Sequence, residues 1–318
     1  MSIDIEKYLE KRLGMPHARK RLLVEQEFEH NICGPASGFC HLENWYSFHS
    51  IVKNTLRLFG LYQRGVRNTL KTQVKHEYYS FQNLPEEFNG YTILQLSDLH
   101  IDMADETRDK IIELVENLDY DLCVFTGDYR KNTYGDIEKT LFGMKAVSVV
   151  LKQPMYAILG NHDSIRMVPE LESMGMRFLI NESVEIKKNN SSFYLAGVDD
   201  AHYFKADNID KAVSSIPVDA FTLLLSHTPE MYQKAEDYPI DLFLCGHTHG
   251  GQICLPGRIP LTWDADCPRR YAKGRWQHKH MAGYTSSGAG TSIVNVRFNC
   301  PGEVTLHHLG MCKATHNK

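Results

Sequence analysis

Seven residues have the types and spacings of a metal site: Asp98 and His100, Asp128, Asn161, His227, and the pair His247 and His249. Imidazole nitrogens mixed with carboxylate and amide oxygens, and no thiolate, suit Mn, Fe or Zn better than calcium or a Cys-rich structural zinc. A carboxylate such as Asp128 can bridge two ions ~3.5–4 Å apart, an arrangement that activates water and offsets charge on a phosphoryl group. The Asp-x-His spacing at 98–100 predicts two side chains on one side of an extended segment, and 247–249 repeats it. Gly127, just before Asp128, predicts close backbone approach to an ion. Three further residues stand beside these ligands. His162 follows Asn161 and is placed to protonate a leaving oxygen; Asp163 either orients that imidazole or caps a helix. Arg130 carries a guanidinium fork that fits a substrate phosphate, or else forms a surface ion pair, and Arg166 offers a second cation nearby. The other histidines His76, His202, His278, His280, His307 and His308 lack such a context.

Something must bring these distant positions together. Short apolar runs at 91–96, 122–126, 155–159, 221–226 and 242–245 read as buried strands. The windows 106–117, 136–147 and 168–174 read as helices between them, which implies βαβ units and largely buried sheets. Asp98 and His100 follow the first run, Asp128 the second, Asn161 the third, His227 the fourth, and His247 and His249 the fifth. Ligands in open α/β sheets gather at the carboxyl ends of strands, so five consecutive strands would deliver these residues to one place. A hairpin is expected at 184–186 and 193–198, turning at Asn189-Asn190, and further strands at 283–287, 292–297 and 303–308. The pattern changes near residue 85: 1–84 reads as a helical, basic amphipathic extension and 85–318 as the catalytic domain.

The composition is that of a globular protein, 318 residues with 42% hydrophobic and 23% charged. A net charge of -4 argues against nucleic-acid binding, and no nucleic-acid partner is expected. The eight cysteines include no C-x-x-C pair, which predicts reduced thiols and a cytoplasmic location. No apolar stretch approaches the ~20 residues that span a bilayer. Yet 44–76 holds no Asp or Glu and six cations, Lys53, Arg57, Arg64, Arg67, Lys71 and Lys75, beside the apolar stripe Trp45, Phe48, Val52, Phe59, Tyr62, Val66 and Leu70. Such a segment either packs its stripe on the domain or lies on an anionic membrane surface, and its single charge sign favours the membrane. The stretch 254–280, rich in Pro, Arg and Trp, is a candidate lid or membrane-facing loop, or a plain structural one.

The blocks LSDLHID, TGDYR, LGNHD, LSHTPE and GHTHGGQ, in this order, resemble the signature of the calcineurin-like metallophosphoesterases over roughly residues 85–310. The resemblance implies a four-layer α/β/β/α sandwich, with the helical extension added. It also implies two divalent metal ions, Mn2+ first, with Fe or Zn as alternatives. Asp98, His100 and His249 would hold one ion, Asn161, His227 and His247 the other, and Asp128 would bridge them; the GNHD histidine, His162, would serve the leaving group. GGQ after His249 and the tail YTSSGAGTSIVNVRFNCPGEVTL are similar to a bacterial branch of membrane-associated phosphodiesterases. That branch includes a type of UDP-2,3-diacylglucosamine pyrophosphatase of lipid A synthesis. The resulting expectation is hydrolysis of a nucleotide-linked lipid, giving lipid monophosphate and UMP, at the inner face of the bacterial inner membrane. A phosphodiesterase on phospholipids or nucleotides is the alternative, followed by a non-catalytic scaffold.

Overall fold

The apolar runs pair into two six-stranded sheets in a computed structural model that describes residues 4–30, 46–261 and 264–312. In chain order the strands are β1 (Gln73–Phe81), β2 (Thr92–Leu96), β3 (Leu122–Phe125), β4 (Met155–Ala157), β5 (Met176–Phe178), β6 (Glu182–Lys188) and β7 (Ser191–Gly197). They continue as β8 (Thr222–Leu225), β9 (Leu242–Cys245), β10 (Cys254–Leu255), β11 (Ile259–Pro260), β12 (Gly274–His278), β13 (Met281–Thr285) and β14 (Glu303–Met311). The helices are α1 (Ile5–Leu13), α2 (Met15–His30), α3 (Tyr46–Leu58), α4 (Tyr62–Thr69), α5 (Asp105–Val115), α6 (Glu138–Val150), α7 (Val168–Ser173), α8 (Ile209–Val213) and α9 (Tyr232–Ala235). One sheet runs β1-β14-β2-β3-β4-β5 and the other β12-β13-β9-β8-β7-β6. Strands β2 to β5 are parallel to one another, and so are β7, β8, β9 and β13.

Side chains alternate across each strand, so every buried strand feeds two apolar layers. In β2, Ile93 faces the second sheet, where it meets the layer of Val124, Leu195, Leu223 and Leu244. Leu94 and Leu96 face the other way, toward Ile111 of α5, Met144 of α6 and Leu171 of α7. Beyond the second sheet, Leu224 and Phe243 pack on Ile209 of α8, Tyr232 of α9 and Trp276. Helix, sheet, sheet, helix is the four-layer order that the family resemblance implied.

Several sequence expectations need correction. The stretch 1–84 is not helical throughout, because its residues 73–81 form β1, an edge strand of the first sheet paired with β14. Helices α1 and α2 also join the core through Leu9, Leu13, Ala18 and Leu22. The 44–76 stripe is not one helix: α3 ends at Leu58 and Gly60, with φ +66, turns the chain into α4. Trp45 and the cysteines Cys33 and Cys40 lie outside the described residues, whereas the six described cysteines are free. The segment 292–297 is not a strand. Its own amides are taken elsewhere: Ser292 N donates to Gln252 Oε1, Val294 N and Val296 N donate within the segment, and Arg297 N donates to the Gly65 carbonyl, while the buried Arg297 guanidinium gathers the carbonyls of Ser287, Gly288, Gly290 and Cys300. Finally, 254–280 is only partly loop, since β10 and β11 form a small ribbon and β12 closes the edge of the second sheet.

Candidate metal centre

Each ligand leaves the carboxyl end of a strand, and five of the seven do so outside extended geometry. Asp98, His100, Asp128, His247 and His249 all have positive φ, between 38° and 72°. L-residues pay for that conformation, and the surrounding contacts must hold it. The expected period-two projection of Asp98 with His100, and of His247 with His249, is therefore replaced by left-handed turns. Gly127 behaves differently from expectation too. Its φ is +91°, and a β-carbon there would lie 2.6 Å from the Gly160 nitrogen, so it yields room to the GNHD backbone and not to an ion.

Buried partners fix the turns. Gln95, between the sheets, donates to the Cys245 carbonyl (3.0 Å) and to Thr126 Oγ1 (3.0 Å), tying the ends of β9 and β3 together. Asp98 accepts from Ser97 Oγ and from the His247 amide (3.0 Å). Gly290 N donates to the Asp98 carbonyl, which clamps the Arg297-centred loop onto the first ligand. Asp163 neither caps a helix nor faces the neighbouring imidazole. Its carboxylate accepts from the amides of Asp128 (2.7 Å), Tyr129 (2.9 Å) and Gly160 (2.8 Å), and so shapes the Asp128 turn.

All seven predicted ligands converge and are buried. Asp98, His100 and His249 set donor atoms within 4.8 Å of one another, and Asp128, His227 and His247 do the same. Asn161 Oδ1 lies 2.9 Å from His227 Nε2 and 2.9 Å from His247 Nδ1. Asp128 Oδ2 lies 3.3 Å from His227 Nε2 and 3.7 Å from His100 Nε2, so it stands between the two groups.

The tautomers test whether these residues suit cations. His100 Nδ1 donates to the Arg130 carbonyl (2.7 Å), and His227 Nδ1 donates to the Thr126 carbonyl (2.7 Å). Second-sphere bonds of this kind leave Nε2 as the lone-pair atom. The His100 and His249 Nε2 atoms then face each other at 3.1 Å, and the His227 Nε2 faces an amide oxygen. With His100 and His227 fixed through Nδ1, their Nε2 atoms turn toward the Asp128 carboxylate and the Asn161 oxygen, and this set of imidazole, carboxylate and amide groups fits two divalent ions. Among the protein's own groups, burial works against every charge here. Asp128 is nevertheless held well below the usual carboxylate range by His227 and His162, and His227 is pushed up to about 10 by Asp128. Asp98 and Asp163 are raised, by burial first and then by the Asp128 charge.

Of the predicted non-ligand residues, His162 stands beside the bridging carboxylate, and Arg130 and Arg166 line a neighbouring cavity. His162 Nε2 is 4.0 Å from Asp128 Oδ2, and its Nδ1 is 3.4 Å from Thr133 Oγ1. Arg130 is buried and not a surface ion pair; with Arg166, Thr133, Ser164, Glu25 and Phe204 it lines a cavity of about 250 Å³. Sequence reasoning missed His202, whose ring lies 4.5 Å from that of His247 and which pairs with Glu230 at 2.9 Å. It also missed Gln95 and Arg297. A polar residue inside an otherwise apolar strand was the available signal for Gln95.

A family model described as calcineurin-like phosphoesterase matches residues 91–251, the span from the start of β2 through the last histidine pair. The metallophosphoesterase YkoQ of Bacillus subtilis is 30% identical over 227 residues, which cover 68% of this chain and 83% of that protein. The phosphodiesterase YaeI of Escherichia coli is 33% identical over 168 residues, 49% of this chain and 58% of its own length. A Helicobacter pylori metallophosphoesterase is 27% identical over 267 residues, covering 80% of this chain and 68% of that one.

Proposed function

The chain belongs to the calcineurin-like phosphoesterase family and is a metal-dependent phosphoester hydrolase, and on that premise we propose that it cleaves a phosphodiester or diphosphate carried by a lipid at an anionic membrane surface. UDP-2,3-diacylglucosamine, split by water into lipid monophosphate and UMP, is the substrate of first choice. The observation that carries the chemistry is the convergence of imidazole, carboxylate and amide acceptors on two cation positions. Asp98, His100 and His249 would hold one ion, Asn161, His227 and His247 the other, and Asp128 both, with Mn2+ the first choice. When bound, such ions supply an activated water and stabilise charge on the non-bridging oxygens.

The chain's own groups do the rest. Water oxygen bonds to phosphorus as the bond to the leaving oxygen breaks, and His162 gives that oxygen its proton. Asp163 keeps the Asp128 turn in shape, and Arg130, in the wall of the adjoining cavity, is assigned to an anionic group of the substrate. Support for a lipid comes from exposed apolar residues on two elements. Ile51, Leu58, Phe59 and Leu61 of the α3–α4 elbow are exposed, and so are Leu255, Ile259 and Leu261 of the ribbon. Both elements flank one segment: Arg297 N donates to the Gly65 carbonyl in α4, while Cys254 N donates to the Phe298 carbonyl. The ribbon itself begins only five residues after His249. A phosphodiesterase on phospholipids or nucleotides is the second reading, and the name of YaeI supports the phosphodiesterase part of it. Purified protein with Mn2+ is to be assayed on UDP-2,3-diacylglucosamine, on glycerophospholipid diesters and on bis-p-nitrophenyl phosphate. Release of UMP is expected; turnover of the diesters alone would favour the second reading, and bound metal without any turnover would favour a scaffold.

A further inference from the structure

Helix α2 lies outside the region that the family model matches, yet it reaches the catalytic loop. Its adhesion to the fold is apolar, through Ala18 and Leu22, but the same face carries Arg21 and Glu25, both buried. Arg21 donates to the Asp163 carbonyl at 3.0 Å and pairs with Glu25 at 2.7 Å. It also stands 3.5 Å from Asp199 and stacks on the Phe204 ring at 3.3 Å. Glu25 in turn accepts from Ser164 Oγ at 2.6 Å and from the Ile165 amide at 2.7 Å. These contacts fall on two loops, one after β4 and one after β7, at the end of the sheets where the ligands collect. Burying an arginine and a glutamate costs more than burying two apolar residues of similar volume. A helix that needed only to stick would not carry them.

We infer that Arg21 and Glu25 are positioning residues for the loop that holds His162, fixing the residues just after it so that its imidazole stays aimed at the leaving oxygen. Asn161 anchors the loop on one side and α2 anchors it on the other. The inference rests on the proton-donor role assigned to His162, and the test separates the two.

Full-length Arg21→Met, Glu25→Gln, Arg21→Lys, His162→Ala and Leu22→Ala proteins would be compared on two methyl aryl phosphodiesters, one losing p-nitrophenol and one losing phenol. The phenolate is the poorer leaving group and depends more on a proton. Metal content per chain and Tm are measured alongside. Arg21→Met and Glu25→Gln are expected to lower kcat roughly tenfold more on the phenyl ester than on the nitrophenyl ester. They should share this skew with His162→Ala and keep their metals, and Arg21→Lys should restore part of the ratio. Leu22→Ala, which loosens only the packing, should lower Tm and leave the ratio unchanged. A wild-type ratio in Arg21→Met, or an equal skew in Leu22→Ala, overturns the inference. If His162→Ala itself shows no skew, the proton-donor assignment fails. Positioning is then sustained by a kcat loss in Arg21→Met well beyond that of Leu22→Ala, and overturned by an equal one.

Discussion

Asp163 shows how far a single residue's role can depart from its motif. Its carboxylate takes three backbone amides, one of them that of Asp128, so the charge serves the shape of the ligand turn before it serves any proton transfer. Removing it leaves those buried amides unsatisfied and frees Asp128 to rotate. Second-sphere losses of this kind typically cost 10–100-fold in metal affinity. Asp163→Ala is therefore expected to weaken divalent-ion binding by about that factor, read by calorimetric titration of the metal, whereas Asp163→Asn, which keeps an acceptor oxygen, should lose less. Equal affinities in both variants and wild type would return Asp163 to a role on the imidazole alone. The ligands themselves were legible in the sequence because type, order and position after apolar runs coincided. Their left-handed backbones were not, since positive φ at Asp98 or His247 comes from contacts made by Ser97, Gly246 and Gln95 across the fold.

At the scale of elements, parallel strands were readable wherever both faces are buried, as in β2, β3, β8 and β9, because the run is mostly apolar. Strand β1 escaped notice because it is an edge strand with one wet face, and its QVKHEYYSF reads as part of the basic segment before it. Its partner β14 carries the inter-sheet polar layer: His307 Nε2 donates to Gln95 Oε1 at 2.9 Å, and Tyr79 OH lies 3.3 Å from Nδ1. Burial pushes the His307 imidazole down to about 3, with His308 adding to the effect. The unfolded chain protonates this histidine near pH 6.5 while the folded one does not. Stability from His307 is thus fully present above pH 6.5 and declines as pH falls toward 3, by about 1.4 kcal/mol per pH unit. Urea denaturation between pH 7 and pH 4 should show that slope, and His307→Leu should flatten it, whatever its effect on stability at pH 7.

Across the whole molecule, charge and apolar surface are divided in one sense. The window 44–76 carries six positive charges, so the remainder of a chain of net charge -4 carries -10. On that window the stripe residue Phe59 is 69% exposed and its neighbour Leu58 83%, while α4 is fastened to the fold through the buried Gly65 and Thr69. The cations Lys53 and Arg57 stand over the Tyr62 ring beside them. No helix among the described residues is long and apolar enough to cross a membrane. An anionic bilayer would attract the basic face at about 1 kcal/mol per cation near its surface and repel the acidic remainder, which sets orientation as well as affinity. Two forces with different salt dependence should be separable, because charge attraction is screened over ~8 Å at physiological ionic strength while apolar insertion is not. Co-sedimentation with phosphatidylglycerol-containing vesicles is expected to fall steeply as salt is raised, down to the residual level seen with neutral phosphatidylcholine vesicles. Replacing Arg57, Arg64 and Arg67 by glutamine should abolish the salt-sensitive part, and Leu58→Ser with Phe59→Ser should remove what survives at high salt. Binding unaffected by either set would place the basic face away from lipid and return it to packing or to a protein partner.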